Sequence, residues 1–179
     1  EEAVLAITRK DRPAPERDAV QSIPVLTDFD PQKHFKAKYV EEALEKYPHV
    51  KGIMCGNDDI ASQVVQVLAE NQLAGNVVVV GQDGDLAACQ RIVEGTQYMT
   101  AFKPIEDLAR KAAKYAVEMG SGKGVAELED VTETVNDGTY EIPSCILEPT
   151  AVTKENIDKV IIEGGFHRRD EVYLNADYS

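Results

Sequence analysis

A chain of 179 residues is long enough to bury a hydrophobic core without help from disulfides or metals. Its 43% hydrophobic and 28% charged residues place it in the globular class. With 32 acidic against 19 basic side chains, the formal net charge of -13 repels a phosphate backbone and excludes nucleic acid as an expected partner. No stretch approaches the roughly 20 apolar residues that span a bilayer, and Glu1-Glu2 begins no signal peptide, so a mature chain or a processed fragment is expected. Cys55, Cys89 and Cys145 lie far apart, without the paired spacing of a zinc or redox site. No metal and no cofactor is expected.

In chain order, the apolar run at residues 3–7 predicts a strand, and residues 8–18, dense in charge and proline, predict a loop. Residues 23–26 predict a second strand, and Thr27-Asp28-Phe29-Asp30-Pro31 a turn leading into a helix. Phe35, Tyr39, Ala43 and Leu44 recur at helical spacing, with Pro48 as the stop. A third strand is expected over residues 50–55, then a helix over 60–71 with Ala61, Val64, Val65 and Leu68 on one face, then a turn at Gly75-Asn76. Val77-Val78-Val79-Val80 has the pattern of a strand covered on both faces. Residues 86–94 predict a short helix closed by Gly95, and residues 96–102 a strand. The longest helix, 105–119, is striped by Leu108, Ala109, Ala112, Ala116 and Met119. Beyond it lie an acidic loop at 127–133 and an Asn136-Asp137-Gly138 hairpin signal. A strand-like stretch at 140–147 follows, which Pro143 confines to an edge or a crossover. Thr153 is expected to cap a last helix carrying Ile157, Val160 and Ile161 and ended by Gly164-Gly165, with a mobile tail after Arg168. Alternating strands and helices over the first two thirds specify a parallel sheet with right-handed crossovers.

Two polar loops stand at carboxyl ends of apolar strands, where open α/β sheets bind small ligands. Asn57-Asp58-Asp59 follows Ile53-Met54-Cys55-Gly56, and Asp83-Gly84-Asp85 follows the valine run. An amide offers a donor and an acceptor, and a carboxylate offers two acceptors, so a pair of sugar hydroxyls can satisfy them. One of the first three residues is also expected to cap the next helix. Asp83 and Asp85 read as a ligand acceptor and a helix cap, since the longer oxygen run of a calcium loop is missing. Lys103, at a third strand end before Pro104, offers three donors to hydroxyl oxygens. His34, His49 and His167 form no metal pair at helix spacing, and His167 belongs to the tail. Gly120-Ser121-Gly122-Lys123-Gly124 follows a helix and reads as its stop, not as a phosphate loop. No nucleophile with an adjacent base can be placed among Asp58, Asp59, Asp83 and Asp85, so no enzymatic activity is expected.

Asn57-Asp58, Gly81-Gln82-Asp83-Gly84-Asp85-Leu86, Gly95-Thr96-Gln97-Tyr98-Met99-Thr100 and Lys103-Pro104 together resemble the D-xylose-binding proteins, class I periplasmic-type sugar-binding proteins of ABC importers. The resemblance continues through Ile142-Pro143-Ser144, Leu147, Pro149, Asn156-Ile157 and Gly165-Phe166-His167. It implies an α/β fold, a Rossmann-like parallel sheet with helices on both faces, forming the C-terminal lobe of a type I periplasmic binding protein. Residues 1–103 would be the sugar-binding lobe, 104–147 a crossover helix and strand packing on the other lobe, and 148–179 the return segment and tail. By position, Asn57 and Asp83 would bind sugar hydroxyls and Lys103 would bind near the hinge. The family's pocket tryptophan has no counterpart in a chain without Trp, which leaves Phe29 for stacking.

The same resemblance implies an aldopyranose ligand, xylose or glucose, with an ABC permease and a sensor kinase as partners. It implies a periplasmic or extracellular location, as a cell-surface lipoprotein in a Gram-positive host. The family's N-terminal lobe is absent from this sequence, so the chain reads as a C-terminal lobe or truncated form. A lobe alone bares the stripe of the long helix, and self-association or a domain-swapped dimer is expected. The effector domain of a sugar-responsive regulator, which shares the two-lobe fold, is the alternative.

Overall fold

The structure, a computed structural model, describes residues 3–8, 21–26 and 38–176. Phe29, His34, the loop expected after Thr8 and the helix start expected at 27–31 lie outside the described residues. The described strands are β1 (Ala3–Thr8), β2 (Gln21–Leu26), β3 (Val50–Cys55), β4 (Val78–Gln82), β5 (Met99–Phe102), β6 (Glu133–Asn136), β7 (Glu141–Ser144) and β8 (Thr150–Val152). The α-helices are α1 (Lys38–Lys46), α2 (Asp58–Glu70), α3 (Leu86–Glu94), α4 (Ile105–Gly120) and α5 (Arg169–Val172). They divide between two compact units, Glu1–Phe102 with Ala151–Ser179, and Lys103–Thr150.

The first unit is built on a six-stranded sheet in the order β2-β1-β3-β4-β5-β8, parallel from β2 through β5. Because β1 is flanked by β2 and β3, the strand order reverses there, and β3 opens at its carboxyl end beside the switch point of the sheet. Asn57 starts α2 because its Oδ1 accepts the Ile60 N–H at 3.0 Å, and Asp58 and Asp59 add negative charge to the first turn. Ile60, Ala61, Val64, Val65, Val67 and Leu68 then recur on one face and are buried with Val40 and Ala43 of α1 and with Ile53, Cys55, Val77 and Val79. α3 ends at Gly95, whose φ of 87° lets its N–H return to the Arg91 and Ile92 carbonyls.

Three expectations need correction. The valine run predicts cover on both faces of β4, yet Val78 is 48% exposed and Met54 on the adjoining β3 is 38% exposed, while Val79 is fully buried. The buried cluster of α1 and α2 gathers on the Ile53 and Val79 side, so alternate residues of these strands meet different surroundings. The helix expected after Thr153 is a π-helix at Asp158–Ile162, and Thr153 does not cap it with its hydroxyl. That hydroxyl donates to the Glu155 carboxylate, and Asn156 Oδ1 instead accepts the Thr153 N–H at 2.8 Å. The segment after Arg168 is docked: α5 buries Val172 completely, Gln90 donates to the Glu171 carbonyl at 2.9 Å, and Tyr173 donates to Asp158 at 2.9 Å. Val172 joins Cys89, Ile92, Val93, Val152, Ile157 and Ile161 in a second buried cluster, which ties this segment to α3.

The second unit pairs α4 with the two-stranded antiparallel sheet of β6 and β7. Asp137 Oδ1 accepts the Thr139 and Tyr140 N–H groups at 2.7 Å, and Gly138 turns at a φ of 96°. No residue of α4 is buried. One side of it, Leu108, Ala112, Tyr115 and Met119, lines a hollow with Val125, Leu128 and Leu147. Ile105, Val117, Tyr140 and Ile142 remain exposed.

Candidate functional site

The polar strand ends of the first unit meet around one buried carboxylate. Asp58 is 1% exposed, at the start of α2. Its Oδ2 accepts from the Gly84 N–H at 2.9 Å, the Asp85 N–H at 3.0 Å and the Thr100 hydroxyl at 2.8 Å, and its Oδ1 accepts from the Gln97 amide at 2.9 Å. Gln97 and Thr100 are themselves 2% and 0% exposed. Four donors from β5, its approach and the loop after β4 are thus satisfied by one side chain, as a buried carboxylate requires. Behind them, Arg91 of α3 donates to Gln97 Oε1 at 3.0 Å, to Ser62 Oγ at 2.8 Å and to the Asp58 carbonyl at 3.3 Å. Burial lowers the Arg91 pKa, while the charge of Asp58 opposes that shift.

Glycine is needed at the crossing point. A Cβ on Gly81 would lie 2.2 Å from Asp58 Oδ1 and 3.0 Å from the Gln97 amide nitrogen. Only a bare backbone leaves that space to the carboxylate.

Asp83 follows β4 with a φ of 112°, a region that L side chains rarely adopt. Its N–H donates to the Ala101 carbonyl at 3.1 Å. Asn57 is half-buried at the end of β3, with Oδ1 committed to the α2 cap. Asp59 is exposed, so the three residues divide into a cap, a buried acceptor and a solvent-facing carboxylate. Lys103 is the first residue of the second unit and follows β5 directly in the chain.

The histidine set aside as part of the tail reaches this loop. His167 Nε2 lies 2.8 Å from the Gly84 carbonyl, and its ring packs against Phe166 with centroids 4.5 Å apart and planes tilted by 54°. Phe166 in turn meets the edge of Phe102 at 4.7 Å, and Phe102 covers the bare side of Gly84. Asp58, Gln97, Thr100 and Arg91 were not singled out as a group by the sequence because they belong together only through strand register. The alternation that points Thr100 to the same side as Gly81, its partner on β4, becomes visible only once those strands are paired.

Asp85 precedes α3 without a side-chain cap bond. Partial burial raises its carboxyl pKa above the ordinary range, and the charges of Asp58, Asp59 and Asp83 add to the rise. Burial likewise lifts the thiols of Cys55 and Cys89 to about 12, with Asp58 the next cause, so neither serves as a thiolate nucleophile at neutral pH. Among the described residues no group of three or more His, Cys, Asp or Glu side chains could hold a metal ion.

The polar loops stand at the carboxyl ends of adjacent parallel strands beside the switch point of the sheet, the position at which open α/β folds of the periplasmic-binding class carry their small-ligand sites. A family model described as a periplasmic binding protein domain matches residues 15–124. The chain belongs to that family, whose type I fold is a parallel α/β sheet with helices on both faces. It is 40% identical over 125 residues to the D-xylose-binding periplasmic protein of Haemophilus influenzae, covering 70% of this chain and 36% of that protein. It is 39% identical over 136 residues to the D-xylose-binding periplasmic protein of Escherichia coli, covering 75% of this chain and 40% of that protein. A solved carbohydrate transporter solute-binding protein from Chloroflexus aurantiacus, in complex with D-glucose, is 26% identical with a TM-score of 0.67, over 75% of this chain and 40% of that one. The chain therefore spans 36% to 40% of the length of these relatives. By name the first two are D-xylose-binding proteins and the third is a solute-binding protein.

Proposed function

We propose that this chain supplies the C-terminal sugar-binding lobe of the monosaccharide-binding component of an ABC importer, with an aldopyranose such as xylose or glucose as ligand. The observation that carries the reading is Asp83, a carboxylate held at a φ of 112° at the carboxyl end of β4, the strand paired with β3, whose own end leads to the half-buried Asn57. A strained non-glycine residue at a ligand-binding edge is the kind of cost that a binding role explains. The relatives named for D-xylose and the neighbour carrying D-glucose support the same ligand class.

In this reading Asp83 accepts from sugar hydroxyls, the Asn57 amide nitrogen donates to one, and Lys103 adds donors where the chain leaves β5. Phe29 is the stacking candidate. Residues 104–147 pack on the lobe that completes the pocket, and without that lobe the apolar residues of α4 promote self-association or exchange between copies. The partners are the importer's permease and a sensor kinase, and the location is periplasmic or extracellular, lipid-anchored in a Gram-positive host.

Calorimetric titration with D-xylose and D-glucose tests the ligand. Saturable heat with at least one sugar, abolished in Asp83→Ala, is expected; absence of heat with both, or heat unchanged in the variant, refutes the assignment to this chain.

A further inference from the structure

Nothing in the sugar-binding reading says what holds Asp83 in its unfavourable conformation. We infer that Asp58 is the positioning residue of the site: it touches no ligand, and it fixes the direction of the Asp83 side chain by clamping the backbone that follows it. The inference rests on the sugar-binding reading for its functional consequence, and on geometry alone for the clamp.

The peptide before Asp83 is pinned to β5 through the Asp83 N–H on the Ala101 carbonyl at 3.1 Å. The peptide after it is pinned through the Gly84 N–H, which is shared between Asp58 Oδ2 at 2.9 Å and Thr100 Oγ1 at 3.1 Å. The next peptide is held from both ends, the Asp85 N–H by Asp58 at 3.0 Å and the Gly84 carbonyl by His167 at 2.8 Å. With the planes on either side of its Cα fixed, Asp83 has little freedom in φ or ψ, and its Cα–Cβ bond points one way. An unfavourable φ of 112° persists when its surroundings over-determine it in this manner.

Asp58 holds two of these loop donors, together with the Thr100 hydroxyl, on one oxygen, and all of its partners are buried or come from the loop itself. An asparagine there fails in either orientation. With its NH2 in place of Oδ2 it faces three donors. With its NH2 in place of Oδ1 it faces the Gln97 amide, which can turn only by setting its own NH2 against the Arg91 guanidinium.

The test is Asp58→Asn in the full chain, read in two ways. Amide hydrogen exchange at Gly84 and Asp85 reports the clamp, and titration with D-xylose and D-glucose reports its consequence. In folded Asp58→Asn, exchange at Gly84 and Asp85 rises and sugar affinity falls, each by about tenfold or more, while Ile92 and Val93 keep their protection. Val64→Ala, a truncation in the buried core of α2 that makes none of the loop's hydrogen bonds, keeps wild-type affinity; a loss matching that of Asp58→Asn there would reduce Asp58 to a structural role and overturn the inference. Unchanged exchange or unchanged affinity in folded Asp58→Asn overturns it as well. If that variant does not fold, Thr100→Val carries the test, with faster Gly84 exchange and weaker sugar binding expected and wild-type values for both contradicting. If the wild-type chain takes up no sugar, the functional reading fails, and the exchange rates still decide whether Asp58 clamps the loop.

Discussion

Asp83 sets local stability against ligand geometry. A side chain at a φ of 112° costs on the order of 1–3 kcal/mol, a penalty that glycine largely escapes. Asp83→Gly is therefore expected to be more stable than Asp83→Ala by about 1 kcal/mol in urea unfolding, with sugar binding lost in both. Equal stability, or a more stable alanine variant, would show that the backbone here is not strained. The identity of Asp83 as a candidate was legible from its place after an apolar run and before a helix. Its strain was not, because φ is imposed by Ala101, Gly84 and Asp58, whose positions relative to one another come from sheet pairing.

At the scale of elements, β3, α2 and α3 were readable because each buries a periodic apolar face and ends at a Gly or Asn signal, and β4 because of its valine run. The elements that were missed carry little periodicity. α5 has four residues and a single buried valine, and the π-helix at Asp158–Ile162 differs from an α-helix in hydrogen bonding more than in residue type. The bond from Thr100 to Asp58 spans 42 positions, so no local pattern announces it.

The start of α3 yields a pH prediction. Partial burial first, and then the charges of Asp58, Asp59 and Asp83, raise the folded-state pKa of Asp85 above its ordinary 3.8. The folded protein thus binds this proton more tightly than the unfolded chain, and ionised Asp85 subtracts stability at neutral pH. That penalty disappears as pH falls through the folded pKa toward 3.8. Asp85→Asn never carries it. The variant should exceed the wild type by on the order of a few tenths of a kcal/mol at pH 7, after allowance for solvent screening, and the difference should vanish near the unfolded pKa. Unfolding of both proteins across this range checks the sign, and a difference that grows on acidification would contradict it.

For the whole molecule, membership in the periplasmic binding protein family and the doubly wound order agree with the alternation of strands and helices read from the sequence. Asn57, Asp58 and Asp83 lie in one unit, while α4, none of whose residues is buried, belongs to the other. In the proposed function the carboxyl ends of β3 and β4 form the sugar-contacting edge of this chain. Amide chemical-shift titration with D-xylose and D-glucose tests it most directly. Saturable shifts centred on Gly56, Asn57, Gln82 and Asp83, absent in Asp83→Ala, are predicted; no shifts at these amides with either sugar would contradict the account.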